Sequence, residues 1–113
     1  MNKRKLGTEY EQSACDFLER RGFRIAARNY RKKIGEIDII ARDGDELVFI
    51  EVKYRTSAEQ GGAAYAISEK KKATVRRVAQ WYMLENGISA EAFCRFDAVL
   101  IDGDTITHIK NAW

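Results

Sequence analysis

Apolar residues near the start of the chain recur at steps of three or four positions. This spacing places them on one face of an α-helix, which can then pack against a core. The residues of this stripe are Leu6, Tyr10, Ala14, Phe17 and Leu18. Gly22 follows the stripe and is typical of a helix C-terminus. The pattern therefore predicts a first helix over residues 6–21.

A second apolar stripe of helical spacing consists of Val75, Val78, Ala79 and Tyr82. Ser68 precedes this stripe and is a residue type that caps helix N-termini by accepting a backbone N–H. Asn86-Gly87 follows it and is a helix stop. These features predict a second helix from Ser68 to residue 84 or 85.

Five other segments are short and rich in apolar residues, which favours strands over residues 23–30, 34–41, 47–53, 95–101 and 105–109. Asp43-Gly44-Asp45 and Asp102-Gly103-Asp104 separate two pairs of these segments and are typical of hairpin turns. Residues 56–62 are polar and contain glycine, which predicts a loop. The element order is αβββαββ, an α/β fold with a mixed central sheet flanked by helices.

The composition is that of a single globular domain over residues 1–113. Of the 113 residues, 45% are apolar and 33% are charged, so the chain is too apolar for a disordered segment. A chain of this length is also too short to form two cores. No apolar run reaches the roughly 20 residues that span a bilayer, and the basic start of the chain leads into no apolar stretch. We therefore expect no secretory signal, no membrane partner and a cytoplasmic location.

Metal sites built from cysteine or histidine are not expected. Cys15 and Cys94 are far apart in sequence, and His108 is the only histidine. A structural zinc site needs four cysteine or histidine ligands and is therefore not expected. A Ser-His-Asp or Cys-His mechanism is not expected either, because it would have to use His108 in the last strand. Both cysteines are instead predicted to be small buried residues in a reducing compartment.

The net charge is only +3, but the cations are grouped. Seven cations and no acid lie between residues 20 and 33, and five cations and no acid lie between residues 70 and 77. Either block alone fits an ordinary solvated surface equally well. Two such blocks in one small domain favour a polyanion partner such as nucleic acid.

Two neighbouring predicted strands carry acidic residues among apolar ones. Asp38 lies in the second strand, and Glu51 and Lys53 lie in the third. A two-residue turn at residues 43–44 would place Glu36 opposite Glu51 and Asp38 diagonal to it. A four-residue loop starting at the same residue would pair Asp38 with Glu51 directly. Either loop puts Asp38, Glu51 and Lys53 on one face, whereas a three-residue loop without a bulge separates them.

Clustered carboxylates in an apolar sheet destabilise a fold unless a cation joins them. Oxygen-only ligands favour Mg²⁺ or Mn²⁺ over zinc. Lys53 would lie about 6.6 Å beyond Glu51 on the same face, where its ammonium could orient a water or neutralise charge on a phosphate. The alternative is that Glu51 and Lys53 form a solvent-facing pair on an edge strand.

The motif Gly35-Glu36-Ile37-Asp38, followed by Glu51-Val52-Lys53, resembles that of the PD-(D/E)xK nuclease superfamily, which has the restriction-endonuclease-like fold. Over nearly its full length the chain also resembles the small bacterial YraN-like proteins, which are relatives of archaeal Holliday-junction resolvases. The further matching residues are Gly7, Glu11, Ala14, Gly22, Arg28-Asn29-Tyr30-Arg31, Arg55, Gly61, Lys71 and Arg95-Phe96-Asp97.

The resemblance implies a metal-dependent endonuclease that hydrolyses phosphodiester bonds in DNA, including branched DNA such as Holliday junctions. It implies Asp38 and Glu51 as ligands of Mg²⁺ or Mn²⁺, Glu11 of the first helix as a further ligand, and Lys53 as the catalytic lysine. Glu11 borders the apolar stripe and could equally be an exposed helix charge, as Glu9 on the other border is expected to be. A junction enzyme needs two sites, which predicts a homodimer.

Three lysines, Lys70, Lys71 and Lys72, fall in the first turn of the second helix. The helix dipole disfavours cations there, but the same helix end binds phosphate well. We therefore predict contacts from these lysines to the nucleic-acid backbone, with Arg55 and Arg31 as further candidates. The alternatives are an ordinary surface lysine at Lys71 and a structural role for Arg31.

Several other residues are predicted to be structural. Asp97 is favoured as a structural residue over a metal ligand, and Trp81 and Tyr82 are favoured as core or dimer-surface residues over base-stacking groups. The sequence leaves open whether Glu36 and Asn29 are structural or functional.

Two rival functions come from other classes. One is a non-catalytic nucleic-acid-binding module on the same fold, in which the carboxylates are relics. The other is a protein-interaction domain, which predicts no salt-sensitive binding to DNA.

Overall fold

The computed structural model describes residues 3–55 and 67–113. Within these residues the elements follow the predicted order αβββαββ. They are α1 (Lys3–Arg20), β1 (Arg24–Lys32), β2 (Gly35–Asp43), β3 (Glu46–Arg55), α2 (Glu69–Glu85), β4 (Cys94–Asp102) and β5 (Thr105–Ile109). The predicted loop over 56–62, with Gly61, lies outside the described residues, as do the first two residues of the basic start.

The strands form a mixed sheet with the spatial order β1-β2-β3-β4-β5. Neighbouring strands are antiparallel except β3 and β4, which are parallel. A parallel pair needs a long crossover connection, and α2 lies in that connection. Strand β3 is therefore a central strand that is covered on both edges.

Each helix packs apolar side chains on one face of this sheet. On one face, α1 contributes to a buried cluster that includes Ala14, Leu18, Ile39, Val48 and Ile50. On the other face, α2 contributes to a cluster that includes Val75, Val78, Ile40, Leu47 and Phe49. Because side chains alternate along a strand, Glu51 and Lys53 point to the α2 face.

The predicted C-terminus of α1 and N-terminus of α2 are confirmed by their caps, whereas α1 begins at Lys3 and not at the predicted residue 6. The hydroxyl of Ser68 accepts the backbone N–H of Lys71 at 3.1 Å, which satisfies an end of α2 that has no intrahelical partner. Gly22 follows α1 with φ of +94°, a left-handed conformation that glycine adopts without strain.

Gly35 allows α2 to lie close to β2. A Cβ atom at this position would stand only 2.4 Å from Cγ2 of Thr74, and the backbone φ is +158°. A larger residue would force α2 away from the start of β2. Gly35 therefore fixes the height of α2 above the strand that carries Asp38.

The hairpin between β2 and β3 differs from the two-residue turn predicted at residues 43–44. Asp43 pairs with Glu46, so the turn consists of Gly44 and Asp45. Gly44 has φ of +61°, and a two-residue hairpin with glycine first suits the twist of the strands. The resulting register is that of the four-residue alternative, with Arg42 opposite Leu47.

Two further observations concern the cysteines and the membrane. Both cysteines are free, and Cys15 is buried in the α1 cluster as predicted. The prediction is wrong for Cys94, which is exposed because it begins β4 before that strand enters the core. In the ranges 3–55 and 67–113, no helix has the length and apolar character needed to cross a membrane.

Candidate metal and nucleic-acid site

Asp38 lies where β2 and β3 diverge. The ladder between these strands ends at the pair Ile39–Ile50, and the next position by count sets Asp38 opposite Glu51. This is the direct opposition that the four-residue loop predicts. In place of further ladder bonds, the Asp38 carboxylate accepts the N–H of Val52 at 2.8 Å. The side chain thus bridges the opening between the two strands.

The backbone is irregular along the same row of the sheet. Ile37 packs on the α2 face and Ile39 on the α1 face, although a regular strand would put both on one face. On β1, the register of the flanking pairs places Asn29 opposite Asp38. Asn29 has a left-handed backbone with φ of +52°, which is uncommon for a residue with a side chain. Such irregularities concentrate at functional sites, and here they mark the row Asn29–Asp38–Glu51.

Asp38 and Glu51 form a buried pair of carboxyl groups. The Glu51 side chain is 7% exposed, and Asp38 is buried as well. Burial first, and then the charge of Glu51, raises the pKa of Asp38 from 3.8 to about 7. The N–H of Val52 and the charge of Lys71 oppose this rise. Asp38 therefore keeps its proton in a substantial fraction of molecules near neutral pH unless a cation replaces it.

Lys71 faces this pair from α2. Its Nζ lies 3.5 Å from Oε2 of Glu51. The separation is longer than a normal hydrogen bond. Among the described residues, none forms a hydrogen bond with Oε2 of Glu51. A buried carboxylate oxygen is thus left with acceptor capacity for a closer partner.

Lys53 follows Glu51 by two residues on β3, so the two side chains share the α2 face about 6.6 Å apart along the strand. Lys53 is half-buried. Because β3 is central and Glu51 is buried, the alternative of a solvent-facing Glu51–Lys53 pair on an edge strand is wrong.

Glu11 of α1 lies within electrostatic reach of Asp38. It is partly buried, and burial raises its pKa. A hydrogen bond with Asn29 opposes this rise, while the charges of Asp38 and Glu36 add to it. In the part of the chain that the structure describes, no three Asp, Glu, His or Cys side chains group closely enough to hold a metal ion. Glu11 therefore interacts with Asp38 without completing a three-carboxylate cluster among the described residues, and its role as a ligand stays a prediction.

A polar pocket of about 530 Å³ opens beside Glu11, and it is lined by Gly7, Thr8, Glu11, Asn29, Arg31 and Glu36. Arg31 donates to the Glu36 carboxylate at 2.7 Å on the rim of this pocket. Asn29, Glu36 and Arg31, whose roles the sequence left open, thus surround Glu11. The contact of Arg31 with nucleic acid stays a prediction.

The other predicted phosphate-binding residues differ in their exposure to solvent and in their ion pairs with acidic residues. Arg55 donates to Asp102 at 3.1 Å and its side chain is only 11% exposed, so a phosphate contact would require it to change partners. Lys72 pairs with Glu69 at 3.2 Å within the first turn of α2. Lys70 is exposed at the same helix end. Lys70 therefore presents its charge at the surface, whereas Lys72 is half-buried and already pairs with an acid.

Asp97 takes part in a buried network that ties the sheet together. Its carboxylate accepts from Arg95 at 3.0 Å and contacts the His108 ring at 2.7 Å. Arg95 also donates to Asp43 and to Glu46, at 2.9 Å each. Burial alone would raise the pKa of Asp97, but the hydrogen bonds with His108 and Arg95 outweigh it and lower that pKa. Asp97 is thus structural, as predicted, and His108 belongs to the same buried network.

The aromatic residues of α2 are divided between core and surface. The Tyr82 ring packs edge-on against Phe49 and Tyr30 in the α2 cluster. Trp81 is 48% exposed, with the ammonium of Lys32 5.6 Å from its ring centroid. Tyr82 is partly buried and packs against the core, and Trp81 stays a candidate for an interface.

Sequence reasoning missed two parts of this arrangement. The bond from the Val52 backbone to Asp38 carries no side-chain pattern and follows from the divergence of the strands. The support that Asn29 gives to Glu11 had one indication in the sequence, because asparagine is depleted in strands and enriched in left-handed backbone.

The donor set of the pair fits Mg²⁺ or Mn²⁺. Asp38 and Glu51 offer only oxygen, and Oε2 of Glu51 is buried without a hydrogen bond from any described residue. Mg²⁺ keeps several waters and is commonly held by one or two carboxylates, so a cluster of three acids is not required. Zinc, which prefers nitrogen and sulfur, fits this pair poorly.

Comparison with other proteins covers the whole candidate site. The profile of the uncharacterised protein family UPF0102 matches residues 10–101. A UPF0102 protein of Lachnoclostridium phytofermentans is 43% identical over 113 residues, which are 100% of this chain and 96% of that protein. One from Shewanella loihica is 47% identical over 107 residues, 95% and 92% of the two chains. One from Dechloromonas aromatica is 44% identical over 107 residues, 95% and 87% of the two chains.

Proposed function

The chain belongs to the uncharacterised protein family UPF0102, and we propose that this member is a metal-dependent nuclease that acts on DNA. The observation that carries the proposal is the buried Asp38–Glu51 pair at the divergence of β2 and β3. Two acids in such a position destabilise the sheet unless a cation joins them. The resemblance to the PD-(D/E)xK nucleases supplies the reaction class.

The roles of the residues follow from their positions. Asp38 and Glu51 would hold Mg²⁺ or Mn²⁺, which when bound supplies positive charge to the phosphate and lowers the pKa of an attacking water. The Val52 N–H fixes one oxygen of Asp38, so this ligand has a defined orientation. The ammonium of Lys53 stabilises the negative charge that develops on the phosphate oxygens.

The α2 N-terminus provides the DNA-binding surface of this proposal. Lys70 and Lys72 bind backbone phosphates there, and the helix dipole strengthens the attraction. Such contacts position the duplex without reading its sequence. Branched DNA such as a Holliday junction is the finer substrate that the resemblance suggests. It would need two sites and hence a homodimer.

A second candidate function is the non-catalytic nucleic-acid-binding module. It is favoured by the ion pair between Lys71 and Glu51, because the protein itself supplies a cation to the carboxylates. In this case the pair would be a structural feature and the lysines of α2 would still bind phosphates.

Cleavage of end-labelled linear duplex and four-way-junction DNA in Mn²⁺ tests the proposal. The wild type is expected to cut, and Asp38→Asn, Glu51→Gln and Lys53→Met are each expected to cut at least about 100-fold more slowly. Glu9→Gln is the matched control, because Glu9 is an exposed acid of α1 and should leave the rate unchanged. A loss with Glu11→Gln would assign Glu11 to the ligands.

Two results would count against the enzyme. Equal product from the wild type and Asp38→Asn would identify a contaminating nuclease. Salt-sensitive DNA binding by a wild type that cuts no substrate in Mn²⁺ or Mg²⁺ would favour the binding module instead.

A further inference from the structure

Lys71 is attached to a fixed part of the fold. Its backbone N–H is held by the Ser68 cap at 3.1 Å, in the first turn of α2. From there its side chain crosses to β3, where Nζ lies 3.5 Å from Oε2 of Glu51. The helix dipole disfavours a cation in this turn, so the ion pair with Glu51 compensates for an unfavourable position.

The neighbouring lysines do not share this contact. Lys72 pairs with Glu69 in its own helix turn, and Lys70 is exposed to solvent. Lys71 is therefore the cation of this cluster that stands against the buried carboxylates. Its side chain is 35% exposed, compared with 7% for Glu51, so its ammonium has a path outward to solvent.

One ammonium is a weak match for the Asp38–Glu51 pair. It approaches Glu51 without a hydrogen bond to Oε2, and it brings one positive charge to two acidic groups. A divalent cation between the carboxylates would bring two charges and direct bonds to the oxygens. It would also repel an ammonium a few ångströms away in a poorly solvated site.

We propose that Lys71 is a resident counter-ion of the Asp38–Glu51 pair and that a divalent cation binds there by displacing the Lys71 ammonium from Glu51. This inference rests on the metal site of the proposed function. The displaced ammonium joins Lys70 and Lys72 at the α2 N-terminus, where it can bind a phosphate. Because coupling between two ligands is reciprocal, a DNA phosphate that holds Lys71 outward strengthens metal binding by the same factor by which the metal strengthens binding of that phosphate.

Titration of Mn²⁺ into the metal-free full chain, with free Mn²⁺ read by its paramagnetic resonance signal, tests the displacement. Lys71→Met is expected to bind Mn²⁺ about tenfold more tightly than the wild type, because no cation has to leave. Lys71→Arg keeps the charge and is expected to remain near the wild type. Lys70→Met removes an adjacent charge without this contact and is expected to change the affinity less than about twofold.

A second measurement observes the side chain itself. In the nuclear magnetic resonance spectrum of the wild type, the Lys71 ammonium signal is expected to shift when Mg²⁺ is added, and in Asp38→Asn it is expected to stay unchanged. Circular dichroism verifies that each variant is folded, and Lys71→Gln is a second neutral variant in case Lys71→Met does not fold.

The outcomes separate the two proposals. Unchanged or weaker Mn²⁺ binding by Lys71→Met, together with loss of binding in Asp38→Asn, would overturn the displacement and leave the metal site standing. Equal tightening by Lys70→Met would also overturn it, as a general effect of charge. Absence of Mn²⁺ binding by the wild type and all variants would overturn the metal site together with the displacement.

Discussion

Two buried aspartates of this protein have opposite surroundings. Asp97 is paired with Arg95 and His108, and its pKa is lowered although burial acts in the other direction. Asp38 accepts one backbone N–H but faces the carboxylate of Glu51, and its pKa is raised to about 7. The first arrangement stabilises the folded chain with its acid ionised. The second leaves a demand for positive charge, which distinguishes a candidate site from a structural network.

We expect Asp38→Asn to change how the free energy of unfolding depends on pH when a chelator is present. The folded chain raises the pKa of Asp38 from 3.8 to about 7, so the folded state binds more protons than the unfolded state between these values. The wild type therefore loses stability as the pH rises from about 4 to about 7, and the variant should not show this loss. Urea unfolding across this pH range measures the difference.

Above about pH 7 the variant should be the more stable protein, because its amide still accepts the Val52 N–H and carries no charge. Asp97→Asn is the matched control and should be destabilising at neutral pH, by about 1–3 kcal/mol, since it removes the ionised acceptor of Arg95 and His108 while Asp43 and Glu46 still pair with Arg95. Parallel pH profiles for the wild type and Asp38→Asn would contradict the raised pKa.

At the scale of single residues, the sequence indicates which side chains form the candidate site better than it indicates the contacts that those side chains make. The spacing of Asp38, Glu51 and Lys53 is visible in the chain, and it indicates an acidic pair on one sheet face. The bond from Val52 to Asp38 depends on where two strands separate, which no local pattern encodes. The side chain of Lys71 could be assigned to the helix but not to Glu51, because its target lies on another element.

Gly35 links the position of α2 to the strand that bears Asp38. Gly35→Ala is expected to destabilise the chain by about 1–3 kcal/mol, because the new methyl group would overlap Cγ2 of Thr74. Thr74→Ser removes that Cγ2, so the double variant should regain part of the stability. The remaining deficit reflects the backbone φ of +158° at Gly35. Thermal unfolding of the single and double variants measures the coupling between the two positions.

If Thr74→Ser restored no stability to Gly35→Ala within error, the result would contradict the close approach of α2 to β2. Gly44→Ala serves as a comparison, because Gly44 has a left-handed backbone but open space around it. Thr74→Ser should give no rescue of that variant.

The elements themselves are largely predictable because their ends are set locally. Ser68 and Gly22 mark helix ends by chemistry that a short segment contains. The turn between β2 and β3 is displaced by one residue from the two-residue alternative and keeps the register of the four-residue alternative, since an Asp-Gly-Asp sequence offers two possible two-residue turns. The choice between them is made by the positive φ of Gly44 and the pairing of Asp43 with Glu46.

Over the whole molecule, the distribution of charge predicts how salt affects DNA binding. The combined variant Lys70→Ala and Lys72→Ala is expected to lower the slope of log affinity against log salt by about 2, since each phosphate contact contributes about 0.9. The matched control is Arg20→Ala with Arg24→Ala, two exposed cations that do not belong to the lysines at the α2 N-terminus. Fluorescence anisotropy of labelled DNA at several salt concentrations measures both slopes.

Equal losses in the two double variants would mean that the whole basic surface binds DNA without preference for the α2 end. Binding that is absent at low salt would instead favour a protein-interaction domain. The pairing order of the strands, which decides where these surfaces lie, could not be predicted from the sequence, because it depends on contacts between distant segments.

The parallel pairing of β3 with β4 has a consequence for the order in which the chain acquires its structure. Strands β1 to β3 pair with their sequence neighbours, whereas β3 can meet β4 only after the long connection through α2 has closed. We therefore expect Asp38 and Glu51 to come together on the β2–β3 hairpin while water still solvates both acids. On this order of events, the docking of α2 would remove that water and bring the ammonium of Lys71 to Glu51 in one step.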